Sequence, residues 1–172
     1  MENLKTNLAN SQVGTTGPVL IIGVGLLGAS LGMRLSKLGV KVFLRDISPV
    51  VTALACDMGA GIQWDENCPS PNLVVVATPP DVAGRQVISA LKEFPESLVT
   101  DVASVKAVIL AEIKEARADI SRYVGSHPMA GRERSGTAFA REDLFESRPW
   151  VVVPSEHTSA EAVLAMRTWP WM

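Results

Sequence analysis

Pro18-Val-Leu-Ile-Ile-Gly23-Val-Gly25-Leu-Leu-Gly28 is the stretch that decides the fold. Its first half is a short, uninterrupted apolar run with no polar alternation, which predicts a strand buried on both faces. Its second half opens a helix over Leu26 to Leu38, with Leu27, Leu31, Leu35 and Leu38 on one side and Gly39 as the C-terminal cap. A buried strand that turns through glycines straight into a helix is the opening of a β-α-β unit.

Reading outward, the same alternation repeats along the chain. Strands are predicted at Val40–Leu44, Gly61–Trp64, Asn72–Ala77, Ser97–Val102, Tyr123–Gly125 (ending before His127) and Trp150–Val153. Helices are predicted at Pro49–Met58, Pro80–Lys92, Val105–Ala116 and Thr158–Arg167. The expected architecture is α/β, a doubly wound and mostly parallel sheet of the Rossmann-like kind, over residues 18–172. Residues 1–17 are rich in Asn, Thr, Ser and Gly, match neither a secretory signal nor a transit peptide, and read as a flexible tail on a cytoplasmic protein.

Gly23-Val-Gly25-Leu-Leu-Gly28 is a G-x-G-x-x-G placed where a strand becomes a helix. Gly23 permits the turn, Gly25 lets backbone approach a pyrophosphate, and Gly28 lets helix and strand pack closely. The helix N-terminus at Leu26 and Leu27 is left to meet the phosphates' charge. Asp46, eighteen residues after Gly28, stands at the end of the second strand, where a carboxylate accepts from ribose hydroxyls. Asp46 would repel a 2′-phosphate although Arg45 and Ser48 could tolerate one, so NAD is favoured over NADP.

A second constellation gathers at the carboxyl ends of the later strands, where open α/β sheets bind their ligands. Thr78 and Pro79 end one strand and border the place of a nicotinamide. Ser104 stands at a helix start, where an N-cap role competes with a functional one. His127 can exchange a proton near neutral pH, and as a lone histidine it reads equally as a general base or a hydrogen-bonded structural residue. His157, in a polar stretch, carries no role.

Composition narrows the partners. The chain has 172 residues, 47% hydrophobic and 20% charged, with a formal net charge of −2. That suits one globular domain with no basic field for nucleic acid or anionic lipid. No apolar stretch reaches the ~18 residues a membrane span needs, and Cys56 and Cys68 fit no zinc or redox spacing. The expected partner is a small molecule.

Three segments resemble the prephenate and arogenate dehydrogenases of tyrosine biosynthesis: GVGLLGASLG at Gly23–Gly32, DVASVK at Asp101–Lys106, and GSHPMAGRERSG at Gly125–Gly136. The resemblance runs essentially from Pro18 to Pro154. It implies NAD-dependent oxidative decarboxylation of prephenate to 4-hydroxyphenylpyruvate, without a metal. His127 would draw off the proton of the substrate hydroxyl, Ser104 would orient that hydroxyl and the imidazole, and Ser126 and Glu133 would lie on the substrate side. Lys106 reads either as a shaper of the strand-helix corner or as a solvated lysine. Arg132, Arg134, Arg141 and Arg148 offer guanidinium groups to a dianion, although each reads individually as a surface ion pair.

The resemblance also implies a following helical domain that dimerises and completes the substrate pocket. In this chain it is expected to be absent, because Thr168-Trp-Pro-Trp-Met172 stops the last helix. That ending reads as a cut tail or as a cap over the sheet edge. An enzyme, or its cofactor-binding half with a homodimer as one assembly, therefore stands beside a non-catalytic NAD-binding module, and another reductase on the same sheet is a third possibility.

Overall fold

The computed structural model describes residues 17–130 and 135–168. All but Gly17 of the expected tail, the side-chain candidates Arg132, Glu133 and Arg134, and the Trp169–Met172 ending lie outside the described residues. In chain order the elements are β1 (Val19–Ile22), α1 (Leu26–Lys37), β2 (Val42–Arg45), α2 (Pro49–Asp57), β3 (Ile62–Gln63), β4 (Leu73–Val76), α3 (Pro80–Glu93), β5 (Leu98–Asp101), α4 (Ala107–Glu115), β6 (Tyr123–Pro128), β7 (Trp150–Val153) and α5 (Ala160–Arg167). They form one seven-stranded sheet in the order β3-β2-β1-β4-β5-β6-β7. Every neighbouring pair is parallel except β6 and β7.

The continuous apolar runs follow from two-sided burial. Along β1, Val19 and Ile21 face one cluster, packed with Leu31 and Leu35 of α1, Ala55 of α2 and Met166 of α5. Leu20 and Ile22 face the other, packed with Val87 and Leu91 of α3 and Ile109 and Ile113 of α4. Period-two alternation thus divides one strand between two cores, and no position is left for a polar residue. The strand order reverses direction between β1 and β4, so the carboxyl ends of these two strands flank the crevice where such sheets take their ligands.

Two boundaries differ from expectation in ways that matter for the site. The strand expected to end before His127 runs on to Pro128, because the antiparallel β7 pairs Gly125, Ser126, His127 and Pro128 with Val153, Val152, Val151 and Trp150. The helix expected at Val105 starts at Ala107, because the corner before it is held by contacts of Asp101 and Lys106.

At the carboxyl end of β2, Arg45 makes two hydrogen bonds to Glu93, at 2.8 and 2.7 Å, and lies 5.5 Å from the ring centroids of both Trp64 and Phe94. Hydrogen bonding from Arg45 holds the Glu93 carboxyl below the usual carboxylate range. The stabilisation is therefore present above the ordinary glutamate range and lost as pH falls through the lowered folded value. Glu93→Gln is expected to flatten the acid limb of the stability profile by only a few tenths of a kcal/mol, since the pair is part-exposed. Urea melts of both proteins from pH 6 to pH 3 check this.

Candidate active site

The glycine loop divides its work as the spacing requires. Gly23 has φ +91, and a Cβ there would come within 2.8 Å of the Ala77 and Thr78 backbone. At Gly28 a Cβ would stand 2.0 Å from the Gly23 carbonyl oxygen, so α1 approaches β1 only because that carbon is missing. Gly25 is different: a Cβ there would meet nothing within 4 Å. Packing does not demand this glycine, and the open space over it borders the N-terminus of α1. There the first-turn N–H groups, those of Leu26 and Leu27 among them, have no partner within the helix and favour an anion.

Facing the same loop, Thr78 Oγ1 is buried and has no hydrogen-bond partner among the described residues. A buried hydroxyl left unpaired is costly and is accounted for when a ligand supplies the partner. Pro79 is the exposed residue before α3. Asp46 accepts from the Val24 N–H at 2.9 Å through Oδ2 and from the Ser48 N–H at 2.9 Å through Oδ1. Its carboxylate is thereby fixed beside the glycine loop, and each oxygen keeps a lone pair for a further donor. Ser48 caps α2, its hydroxyl accepting from the Val51 N–H. The open cradle at Gly25, the unpaired Thr78 hydroxyl and the fixed Asp46 together fit a dinucleotide's pyrophosphate, nicotinamide end and ribose.

The ends of β5 and β6 hold a buried polar cluster. Asp101 is fully buried: Oδ1 accepts from the Tyr123 hydroxyl at 2.7 Å, and Oδ2 accepts from the Ala103 N–H at 2.9 Å and from Lys106 Nζ. Burial pushes the Lys106 ammonium below its usual value while Asp101 pulls it back up. The Tyr123 hydroxyl is pushed well above its usual range, first by burial and then by the Asp101 charge. Lys106 therefore shapes the corner as an ion-paired residue and is not a solvated lysine.

His127 is part-buried on β6, with Nδ1 3.3 Å from the Val102 carbonyl oxygen. A carbonyl can only accept, so Nδ1 carries the proton in this contact and Nε2 keeps a lone pair. The reading of Ser104 as an N-cap is corrected: α4 starts at Ala107 with Lys106 in the cap position, and Ser104 is exposed with no hydrogen bond among the described residues. The substrate-side reading of Ser126 is corrected as well. Its side chain is fully buried, donates to the Asp101 carbonyl oxygen at 2.8 Å and accepts from the Thr100 hydroxyl at 3.2 Å, so it ties β5 to β6. Arg141 forms an ion pair with Asp143, as a surface arginine would.

Sequence reasoning missed the strap of residues 135–149, which crosses from β6 back over α1. Its Thr137 hydroxyl donates to the Val24 carbonyl oxygen at 2.5 Å, and its Arg141 N–H donates to the buried Ser30 hydroxyl at 2.9 Å. Ser30, polar at a position facing the core, was the available signal. Thr137→Val leaves the Val24 carbonyl without this partner and is expected to cost about 1–3 kcal/mol, read as a lowered melting temperature.

Comparison with known proteins fits this geometry. Residues 30–169 match the family model described as prephenate dehydrogenase, nucleotide-binding domain. The chain is 39% identical over 144 residues, 84% of its length, to the NovF protein of Streptomyces niveus, described as a probable prephenate dehydrogenase. It spans 40–41% of the length of the curated relatives it matches first. Aquifex aeolicus prephenate dehydrogenase, solved in complex with hydroxyphenyl propionate and NAD+, superposes with a TM-score of 0.76 at 28% identity, over 89% of this chain and 55% of that one. Synechocystis arogenate dehydrogenase gives a TM-score of 0.76 at 25% identity, over 87% of this chain and 54% of that one. On the match of residues 30–169 to that family model, the chain belongs to the family of the prephenate dehydrogenase nucleotide-binding domain.

Proposed function

We propose that residues 18–172 form the NAD-binding part of a prephenate dehydrogenase of tyrosine biosynthesis, working in the cytoplasm. The observation that carries this reading is His127, anchored through Nδ1 on the Val102 carbonyl with Nε2 free to accept a proton, on the same edge of the sheet as the open cradle at Gly25. Gly23, Gly25, Leu26, Leu27 and Gly28 bind the pyrophosphate, Asp46 the ribose, and Thr78 and Pro79 the nicotinamide side. Preference for NAD over NADP is supported by the Asp46 charge and by Arg45, which is occupied by Glu93 and so not offered to a 2′-phosphate.

When bound, NAD supplies the hydride acceptor. His127 hydrogen-bonds the hydroxyl on the carbon that loses hydride and draws off its proton, while the ring carboxylate leaves as carbon dioxide and the ring becomes aromatic. Ser104, exposed at the corner, is free to orient that hydroxyl. Arogenate is the second reading, favoured by the likeness to the Synechocystis enzyme, because the ring chemistry is the same.

Calorimetric titration with NAD and prephenate-dependent formation of NADH by the purified chain test the proposal. NAD binding with turnover supports it. Failure to bind NAD overturns the cofactor reading, and binding without oxidation of prephenate or arogenate overturns the catalytic reading for this chain.

A further inference from the structure

We infer that Asp101 is a positioning residue for His127, acting through the single peptide unit between Val102 and Ala103. In a trans peptide the N–H and C=O point in opposite directions from one rigid plane. Here the two ends of that plane are held by different side chains: the Ala103 N–H donates to Asp101 Oδ2 at 2.9 Å, and the Val102 oxygen stands 3.3 Å from His127 Nδ1. Fixing the N–H therefore aims the carbonyl at the imidazole. A carboxylate that accepts from one end also polarises the peptide, which makes the carbonyl a stronger acceptor at the other. The carboxylate, the peptide and the imidazole form a chain that sets the ring's orientation and puts its proton on Nδ1.

The carboxylate is itself held from the far side. Tyr123 donates to Oδ1 and Lys106 to Oδ2, so a buried charge has a partner on each oxygen and a countercharge beside it. Gly125 makes that convergence sterically possible, since a Cβ there would lie 3.0 Å from Lys106 Cδ and 3.1 Å from the Tyr123 hydroxyl. Nothing in this cluster needs to touch substrate. Its effect on the reaction passes through His127 alone, and only that kinetic part rests on the reading of His127 as the base.

The test is imidazole tautomer state, read by 15N–1H correlation on the 15N-histidine-labelled chain at pH 8, with His127→Asn assigning the resonance. In the unchanged chain the Nδ1–H form is expected to dominate. Asp101→Leu with Lys106→Met and Tyr123→Phe removes all three polar groups together, so no charge is left buried without its partner. In this variant the Nδ1–H form should become the minor one, and kcat should fall about tenfold, the loss of one hydrogen bond's worth of positioning, with KM and NAD affinity within twofold. Asp101→Asn keeps an oxygen for the Ala103 N–H and should restore the Nδ1–H form. Where the triple variant does not fold, Asp101→Ala, which leaves Lys106 free to reach solvent, is read in its place. Persistence of Nδ1–H in a folded variant without the acceptor overturns the inference, as does an Nε2–H form in the unchanged chain. A tautomer change in a chain that never turns over supports the positioning and overturns the catalytic reading of His127.

Discussion

Gly25→Val is expected to weaken NAD binding at least a hundredfold while leaving the melting temperature within about 2 °C. The valine side chain would enter space in which a Cβ meets nothing within 4 Å, and the Gly25 backbone, at φ −68 and ψ −160, is extended and open to any residue. The fold therefore does not register the change, whereas a pyrophosphate lying on that backbone cannot share its space with two methyl groups. Gly28→Ala is the contrasting substitution. One methyl carbon 2.0 Å from the Gly23 carbonyl oxygen must push α1 off β1, an overpacking cost of about 1–3 kcal/mol or more. For a chain of this size that lowers the melting temperature by roughly 2–12 °C. Thermal melts and NAD calorimetry on both variants check the division of labour. Unimpaired NAD binding by Gly25→Val would remove the glycine loop from the site.

His127→Asn is expected to reduce turnover by about 10²–10⁴-fold with NAD affinity changed by less than twofold. The asparagine amide nitrogen can take over the donation to the Val102 oxygen, so local structure is preserved. What it cannot do is accept a proton near neutral pH. Single-turnover formation of NADH, with NAD binding measured on the same samples, separates the two effects. Turnover within tenfold of the unchanged chain would assign the base to another residue.

The alternation of strands and helices was legible because burial on both faces of a parallel sheet leaves continuous apolar runs such as Leu73–Val76, whose shortness and β-branched residues distinguish them from a buried helix. In the glycine loop, Gly23 and Gly28 were legible as steric necessities, since a Cβ at either would strike backbone, whereas Gly25 meets no such demand within the fold. The β6 end was not. Its extension through His127 depends on pairing with β7, a contact made across more than twenty residues of chain and invisible to local pattern. The burial of Ser126 was not legible for a related reason: it follows from how β6 registers on β5, and local sequence carries no mark of it. The Asp101 cluster had a visible cue, an acidic residue ending a short strand with a lysine five positions later. Its geometry became clear only with Tyr123 brought alongside by the sheet.

The strap over α1 has a consequence for how the chain folds. Thr137 and Val24 are 113 residues apart in sequence, so their bond closes a long loop and is expected to form late, once the strands between them are in order. Contacts made after the rate-limiting step slow unfolding without speeding folding. The strap is therefore expected to act as a kinetic latch on the nucleotide loop: Thr137→Val should raise the unfolding rate in urea and leave the refolding rate as it was.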